Sequence, residues 1–422
     1  MSPTICPYPF AHTDIEPNGE IKYCCASISG EHTDENEQIY NVNAHTLDQA
    51  WNSARLQSLR ISLIAGERPD ACRVCWEQEK DTGTSLRLNA IKRIPLESIK
   101  HRIDEAKNNK GHLSQQAFDF QVSTGNLCNL ACKMCNPAFS TNFGKFFKKF
   151  VDSPAELSFV PNVVPRLNHD VDFNTVFDWP ATKGLATVFA NHYDSIRSLF
   201  ITGGEPTLVK ENIEFLEQLV ELGYSKQIKV WPSTNCTNIN RTLLATLSKF
   251  QTIELNLSLD GMDDIAYIQR TPSDWPTIES NVDLLMAWQL EQQAQGKTVN
   301  IHIITTLTSL NFHHVLDFWE YLVARYQNNN FGIANPNLVW HKNINFGLES
   351  VPQQVVNQFV DVVNNKIKTS GFRKLVPLYI YMKNLLVSSK FSEDYKIIHY
   401  CLDQVQKFHP DLDIKKIYKV YY

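Results

Sequence analysis

The sequence predicts an α/β protein: a partial (β/α)6 TIM-like barrel, with a small cysteine-rich module before it and a helical extension after it. Three observations predict this. From Phe118 onward, short apolar runs rich in β-branched residues alternate with amphipathic stretches, and such alternation builds right-handed parallel crossovers. The units number six, too few to close an eight-fold barrel. Finally, eight of the ten cysteines fall in three tight groups: Cys6, Cys24 and Cys25; Cys72 and Cys75; and Cys128, Cys132 and Cys135.

The elements follow in order. Residues 1–95 form the cysteine-rich module. There "EPNGE" (Glu16–Glu20) is a turn signal between the extended runs "AHTDI" and "IKYCC", which predicts a hairpin. Thr46–Gly66 reads as an amphipathic helix, with Leu47, Trp51, Leu56, Leu59 and Leu63 on its apolar face and Gly66 at its stop. Residues 96–117 are polar and charged and read as a linker, partly helical, broken at "NNKG". The barrel is expected over 118–346, with strands at 118–124, 196–202, 228–234, 253–259, 299–305 and 337–344. Helices are expected at 212–223, 242–250, 277–293 and 312–326. The interval 137–195 is too long for one connection; "FGKFFKKFV" (143–151) reads as a helix and 158–180 as an irregular insertion. Residues 347–422 read as a helical extension.

The totals exclude some classes. With 43% hydrophobic and 20% charged residues, the 422-residue chain can build a sizeable core. A net charge of −5 gives no overall footprint for nucleic acid or an anionic membrane. No apolar run is long enough to span a bilayer, and "MSPTICPYPFAHTD" lacks the pattern of a signal peptide. The expectation is therefore a cytoplasmic protein without a membrane partner. In a reducing compartment, grouped cysteines read as metal ligands rather than disulfides.

The spacing Cys128-x3-Cys132-x2-Cys135 follows the first barrel strand, at the carboxyl end of the sheet, where active sites of such folds sit. A structural zinc site normally needs four ligands, and the fourth would be a Cys or His from elsewhere, with His112 and His169 available. A 4Fe–4S cluster held by three thiolates instead leaves one iron open for a small chelating cofactor. The second strand ends in "FITGGEPTL". Gly203 and Gly204 permit close backbone approach, Glu205 offers a carboxylate, and Pro206 stiffens the loop.

Together these residues resemble the radical S-adenosylmethionine (SAM) superfamily over roughly 118–345. The resemblance implies that Cys128, Cys132 and Cys135 bind a 4Fe–4S cluster whose open iron takes the amino and carboxylate groups of SAM. It implies that the Gly203-Gly204-Glu205-Pro206 loop meets the amino group. One-electron cleavage then yields a 5′-deoxyadenosyl radical that abstracts a substrate hydrogen. By the same resemblance Ser258 and Asp260, in "LSLDGM", face the ribose or carboxylate of the cofactor. Arg270 matches a basic residue found shortly after that strand, though Asp260-Gly261 also suits a plain turn and Arg270 an exposed helix end. Ser233 and Asn235, in "PSTNCT", are expected to hydrogen-bond the cofactor. Cys236 stands where the family often has glycine. It reads either as a catalytic thiol donating a hydrogen atom to a substrate radical or as a small packed hydrophobe. Met134 replaces a commoner aromatic and would flank the adenine.

The other cysteines follow Cys6-x12-Gly19-x4-Cys24 and Cys72-x2-Cys75. Four thiolates from a hairpin and a later turn can close a tetrahedral site, with zinc or iron–sulfur equally served by the chemistry. The pattern resembles the twitch module, a shortened relative of the SPASM domain, which implies an auxiliary 4Fe–4S cluster. Better-known members carry that module after the barrel; here it comes first. Cys25, beside Cys24, is the competing ligand. Glu77, Glu79 and Arg87 are candidates to line a cleft or to stand on a charged surface.

The function expected is hydrogen abstraction from a peptide substrate, with a flavodoxin- or ferredoxin-like reductant. The alternatives are oxidation of a small-molecule alcohol by the same chemistry and a zinc-stabilised, non-enzymatic binding protein. Nucleic acid is not an expected partner.

Overall fold

The structure is a computed structural model and describes residues 2–28, 30–145, 175–339, 346–389, 391–393 and 395–422. It divides into two compact units. The first comprises Met1–Leu127, Val176–Ser233 and Asn240–Ile253; the second comprises Cys128–Thr175, Thr234–Ile239 and Glu254–Tyr422. The fold is α/β and its strand pairs are mostly parallel.

In the first unit the strands are β1 (His12–Ile15), β2 (Ile21–Lys22), β3 (Asp119–Ser123), β5 (Ser198–Thr202) and β6 (Lys229–Thr234), lying side by side as β6-β5-β3-β1-β2. The expected hairpin is present: β1 and β2 pair antiparallel, with Asp14 opposite Lys22. Its turn needs Gly19, which sits at φ 85° and whose missing Cβ would fall 2.9 Å from both Asn41 Oδ1 and Val42 Cγ2. The sequence pattern did not reveal that β1 also pairs parallel with β3, Asp14 opposite Gln121. The module's first strand thus extends the sheet.

One face of these strands is apolar, because side chains alternate along a strand. Phe120, Val122, Leu199, Ile201 and Val230 are all buried, and the helix Lys210–Glu221 supplies Phe215, Leu216 and Leu219 to the same core. Each buried Leu, Val or Phe of this kind stabilises by about 1.5–3 kcal/mol. The segment 96–117 holds the helix Lys100–Asn108, in which Ile103 and Ala106 are buried. Its Arg102 is buried too and donates to the carbonyls of Phe10 and Gln116. Arg60, fully buried on the helix Ala54–Ala65, donates to the carbonyls of Pro9, Trp51 and Gly111.

In the second unit β7 (Thr252–Ser258), β9 (Thr298–Ile304) and β11 (Phe331–Ile333) lie in the order β11-β9-β7. The strand expected at 337–344 is in part different. The partner of β9 is the shorter Phe331–Ile333, while β12 (Asn337–Leu338) pairs with β10 (Thr306–Leu307) in a separate ribbon. Three residues carry no readable period, which hid β11. A second ribbon joins β4 (Ala131–Cys132) to β8 (Arg270–Thr271). Residues 347–422 carry the helices Gln353–Thr369, Val376–Ser388 and Lys396–Phe408. Lys366 of the first bonds Asp317 and Glu320 on the helix Val315–Arg325. The helix expected at 143–151 beyond Lys145, most of the insertion at 158–180, the end of the strand at 337–344, and His169 lie outside the described residues.

Candidate functional site

The three-cysteine loop is held from two sides within the second unit. Cys132 lies in β4 opposite Arg270 in β8. Arg270 Nε donates to Asp260 Oδ2 at 2.6 Å, and its Nη1 lies 3.7 Å from Cys132 Sγ. Asp260 is itself buried and its Oδ1 accepts from the Thr306 backbone N–H at 2.7 Å. On the other side, Asn129 donates to Thr237 Oγ1 at 2.8 Å and accepts from Asn235 Nδ2 at 3.0 Å. Within the loop, the Leu130 N–H points at Cys128 Sγ at 3.5 Å, and the Cys135 N–H donates to the Cys132 carbonyl at 2.9 Å.

The electrostatics follow from this packing. Burial pushes the Cys132 thiol up to about 11, with Arg270 pulling the other way and the Cys128 thiol adding to the rise. Burial also raises Cys135, reinforced by Cys132 and Cys128. The three sulfurs thus sense one another's charge, and Arg270 partly offsets it.

Of the other expected residues in this unit, Ser258 ends β7 two residues before Asp260 and is half-buried, as is Met134. Cys236 is fully buried at φ 63°, a left-handed conformation that glycine adopts without cost. Its sequence departure therefore falls at a position whose backbone suits glycine. The Cys236 N–H donates to Thr234 Oγ1 at 3.1 Å, and its carbonyl accepts from Asn281 Nδ2 at 2.8 Å.

The glycine loop belongs to the first unit. Gly203 stands at φ 128°, and a Cβ there would lie 2.7 Å from the Gly125 carbonyl oxygen. A Cβ on Gly204 would lie 2.1 Å from the Leu127 carbonyl oxygen. The two glycines thus admit the backbone of residues 125–127, which leads directly into Cys128. The Glu205 N–H donates to the same Leu127 carbonyl at 2.8 Å. The Glu205 carboxylate is buried and caps the turn Pro206–Leu208 through Thr207 N–H at 3.2 Å and Thr207 Oγ1 at 2.8 Å. Ser233 is half-buried in β6.

Four further cysteines gather in the first unit around one cavity, lined by Cys6, Cys24, Cys72, Cys75, Tyr23 and Arg87. Cys25 is exposed and does not line it. Burial raises Cys6, and the nearby Cys72 and Cys75 add to that; burial and Cys75 push Cys72 up to about 12. Arg87 is buried beside them. It grips Glu79 with two bonds of 2.8 and 2.6 Å and donates to the Pro3 and Ile5 carbonyls. Glu77, by contrast, is exposed on the helix Arg73–Thr82. In the sequence Arg87 reads either as a cleft residue or as part of a charged surface. What singles it out is the folding of the helix Leu86–Arg93 back onto the first residues of the chain.

Among the described residues no three Cys, His, Asp or Glu side chains are closed into ligation geometry. The donor chemistry nonetheless suits an iron–sulfur group: thiols only, buried or half-buried, mutually repelling when ionised, and each set with one arginine beside it. His112 is exposed, and neither set includes a histidine donor.

Fold and donor sets together define a class: an α/β protein of partial-barrel type carrying two cysteine sets suited to iron–sulfur ligation. Residues 122–322 match the radical SAM superfamily, and residues 6–76 match SPASM, an iron–sulfur cluster-binding domain. The chain thus carries a radical SAM domain over residues 122–322 and a SPASM-type module on its N-terminal side, over residues 6–76. Such a chain takes a 4Fe–4S cluster and SAM at the barrel and auxiliary iron–sulfur ligation at the module. No curated protein matches this chain. Among solved structures it is similar to anSMEcpe bound to AdoMet and the Cp18Cys peptide, at 17% identity over 60% of both chains and a TM-score of 0.39. It is also similar to SuiB of Streptococcus suis bound to S-adenosylmethionine, at 14% identity, 74% of this chain, 63% of that chain and a TM-score of 0.35. The chain thus spans 60% of the length of the first of these. No described helix is long and apolar enough to cross a membrane.

Proposed function

We propose that this protein is a radical SAM enzyme that abstracts a hydrogen atom from a peptide substrate. The observation that carries the reading is the Arg270 bridge from buried Asp260 to the Cys132 sulfur, which couples the cysteine loop to an expected cofactor contact. Cys128, Cys132 and Cys135 hold the catalytic cluster. Cys6, Cys24, Cys72 and Cys75 hold the auxiliary one. When bound, the cluster and SAM supply one-electron homolytic chemistry.

The chain's own residues orient and shield. Arg270 keeps a positive charge against Cys132, which favours the thiolate. Asp260 fixes Arg270 and is fixed in turn by Thr306 N–H. Asn129 and Asn235 tie the cysteine loop to the turn that carries Cys236. Glu205, Ser233, Ser258 and Met134 complete the cofactor's contacts in this reading, and Cys236 serves as a hydrogen-atom donor. A flavodoxin- or ferredoxin-like protein supplies electrons.

The test is anaerobic reconstitution with iron and sulfide, followed by reduction in the presence of SAM. About eight irons per chain and formation of 5′-deoxyadenosine are expected. Zinc alone, or no 5′-deoxyadenosine, overturns the reading. The peptide class is tested by whether peptides, and not small alcohols, accelerate SAM consumption.

A further inference from the structure

Two buried carboxylates stand on one face of the β1–β3 pair, and their surroundings differ sharply. Asp119 is fully engaged: His12 Nδ1 lies 2.6 Å away, and Arg93 donates to both of its oxygens at 2.7 Å. Asp14, on the same face and opposite Gln121, is 0% exposed, and neither of its carboxylate oxygens has a hydrogen-bond partner among the described residues. Its cross-strand neighbour is taken. Lys22 lies opposite Asp14 in register, but its Nζ bonds Glu16 at 2.9 Å. Glu16 and Glu20 add negative charge around Asp14, and Lys22 alone offsets it.

The row continues across the sheet. Gln121 lies opposite Phe200, and Phe200 opposite Trp231. All three are half-buried, unlike the filled apolar face behind them. The Phe200 and Trp231 rings lie 5.0 Å apart, and the Trp231 indole N–H also lacks a partner among the described residues. An isolated buried carboxylate is costly, by several kcal/mol, unless something neutralises it. Burial raises its pKa well above the usual range, and the neighbouring Glu16 adds to the rise. The row lies two residues short of Ser123 and Thr202, from which the chain passes into 124–127 and the glycine loop.

We propose that the row Asp14–Gln121–Phe200–Trp231 is a substrate-recognition strip, and that Asp14 receives a cationic nitrogen of the substrate. The substrate class is a peptide bearing an ammonium group, its apolar stem laid along Phe200 and Trp231. The cation displaces the proton of Asp14, which leaves to solvent, and the ion pair forms where water is excluded. Gln121, with an amide NH2 donor and a carbonyl acceptor on the strand position opposite Asp14, sets the orientation of the neighbouring amide. The proposal rests on the peptide reading above, but it is tested apart from it.

The probe is N-acetyl-lysine methylamide, with N-acetyl-norleucine methylamide as its neutral counterpart. Binding to the full reconstituted chain is read from tryptophan fluorescence, with Trp231→Phe identifying the reporting indole. The lysine probe is expected to quench the wild type, and the norleucine probe to bind at least roughly tenfold more weakly, as loss of a buried charge partner dictates. Asp14→Asn should abolish that preference. Should this variant fail to fold, Glu16→Gln provides the second arm. It frees Lys22 to neutralise Asp14 and should weaken lysine-probe binding several-fold. Equal binding of both probes to the wild type, or undiminished preference in either folded variant, overturns the proposal. Wild-type protein that binds the lysine probe yet forms no 5′-deoxyadenosine would sink the radical reading and leave the strip standing.

Discussion

Arg270 donates to buried Asp260 at 2.6 Å and simultaneously brings its other nitrogen to 3.7 Å from Cys132 Sγ. One guanidinium therefore bridges a buried carboxylate and a thiol whose pKa burial raises. Arg270→Met removes both partnerships. A buried carboxylate stripped of its charge partner costs about 3 kcal/mol or more. The expected outcome is a lower urea midpoint and iron content reduced toward half after reconstitution, measured by chemical denaturation and iron analysis.

Gly204 is the second test, because a Cβ there would collide with the Leu127 carbonyl immediately before Cys128. Gly204→Ala must push that backbone aside. Reconstituted protein should lose the iron of the three-cysteine loop and keep that of the N-terminal set, falling from about eight to about four per chain. The combined replacement of Cys6, Cys24, Cys72 and Cys75 by alanine should remove the complementary half. Full iron in Gly204→Ala refutes the close approach as a determinant.

Cys236 separates backbone from chemistry. At φ 63° a glycine relieves about 1 kcal/mol of strain, while loss of the buried sulfur costs a similar amount. Cys236→Gly should therefore leave the melting temperature nearly unchanged. Cys236→Val places a β-branched side chain in the same conformation and should cost about 2 kcal/mol. If Cys236→Gly also abolishes substrate turnover while SAM cleavage persists, the thiol acts in the hydrogen-transfer step.

The fourth test concerns acid stability. Burial alone would raise the Asp119 carboxyl, but the hydrogen bond and charge of His12, with Arg93, outweigh it and hold the group at about 2. A depressed carboxylate stabilises the fold above its unfolded value near 3.8, and that contribution is lost as pH falls through about 2. It amounts to about 2 kcal/mol. Asp119→Asn should lower stability at pH 7 and flatten the dependence between about pH 4 and 2, followed by denaturant titration at each pH.

Arg60 is a purely structural test. Its guanidinium serves three backbone carbonyls inside the first unit. Arg60→Leu leaves all three without that donor and should destabilise by about 3 kcal/mol or more, seen as a lowered melting temperature.

Much of this architecture was legible in one dimension. Strand–helix alternation predicts β3, β5, β6, β7 and β9 within about two residues, because strands of a parallel sheet leave short apolar, β-branched runs bounded by turn residues. The cysteine groups and the Gly203–Pro206 loop point to the superfamily that the comparisons then show. Strand β11 escaped notice because Phe331–Ile333 is too short to show a period. Residues 96–117 read as a linker, partly helical, and the helix Lys100–Asn108 lies there; its run of charges gives no sign that Ile103, Ala106 and Arg102 all turn inward.

What the amino-acid order determined by itself is chemistry at fixed spacing: which thiols stand a few residues apart, where a backbone is free of a Cβ, and where apolar residues repeat. These are local quantities, set by rise per residue and turn geometry. What only the tertiary structure decided is which distant charges meet. Arg270 is separated from Cys132 by 138 positions, Arg87 from Ile5 by 82, and Asp119 from His12 by 107. Asp14 looks ordinary in "AHTDI"; only the pairing of β1 with β3, and the capture of Lys22 by Glu16, leave it buried without a partner. Burial and long-range pairing are properties of the folded chain, because desolvation exists only once the segments have come together.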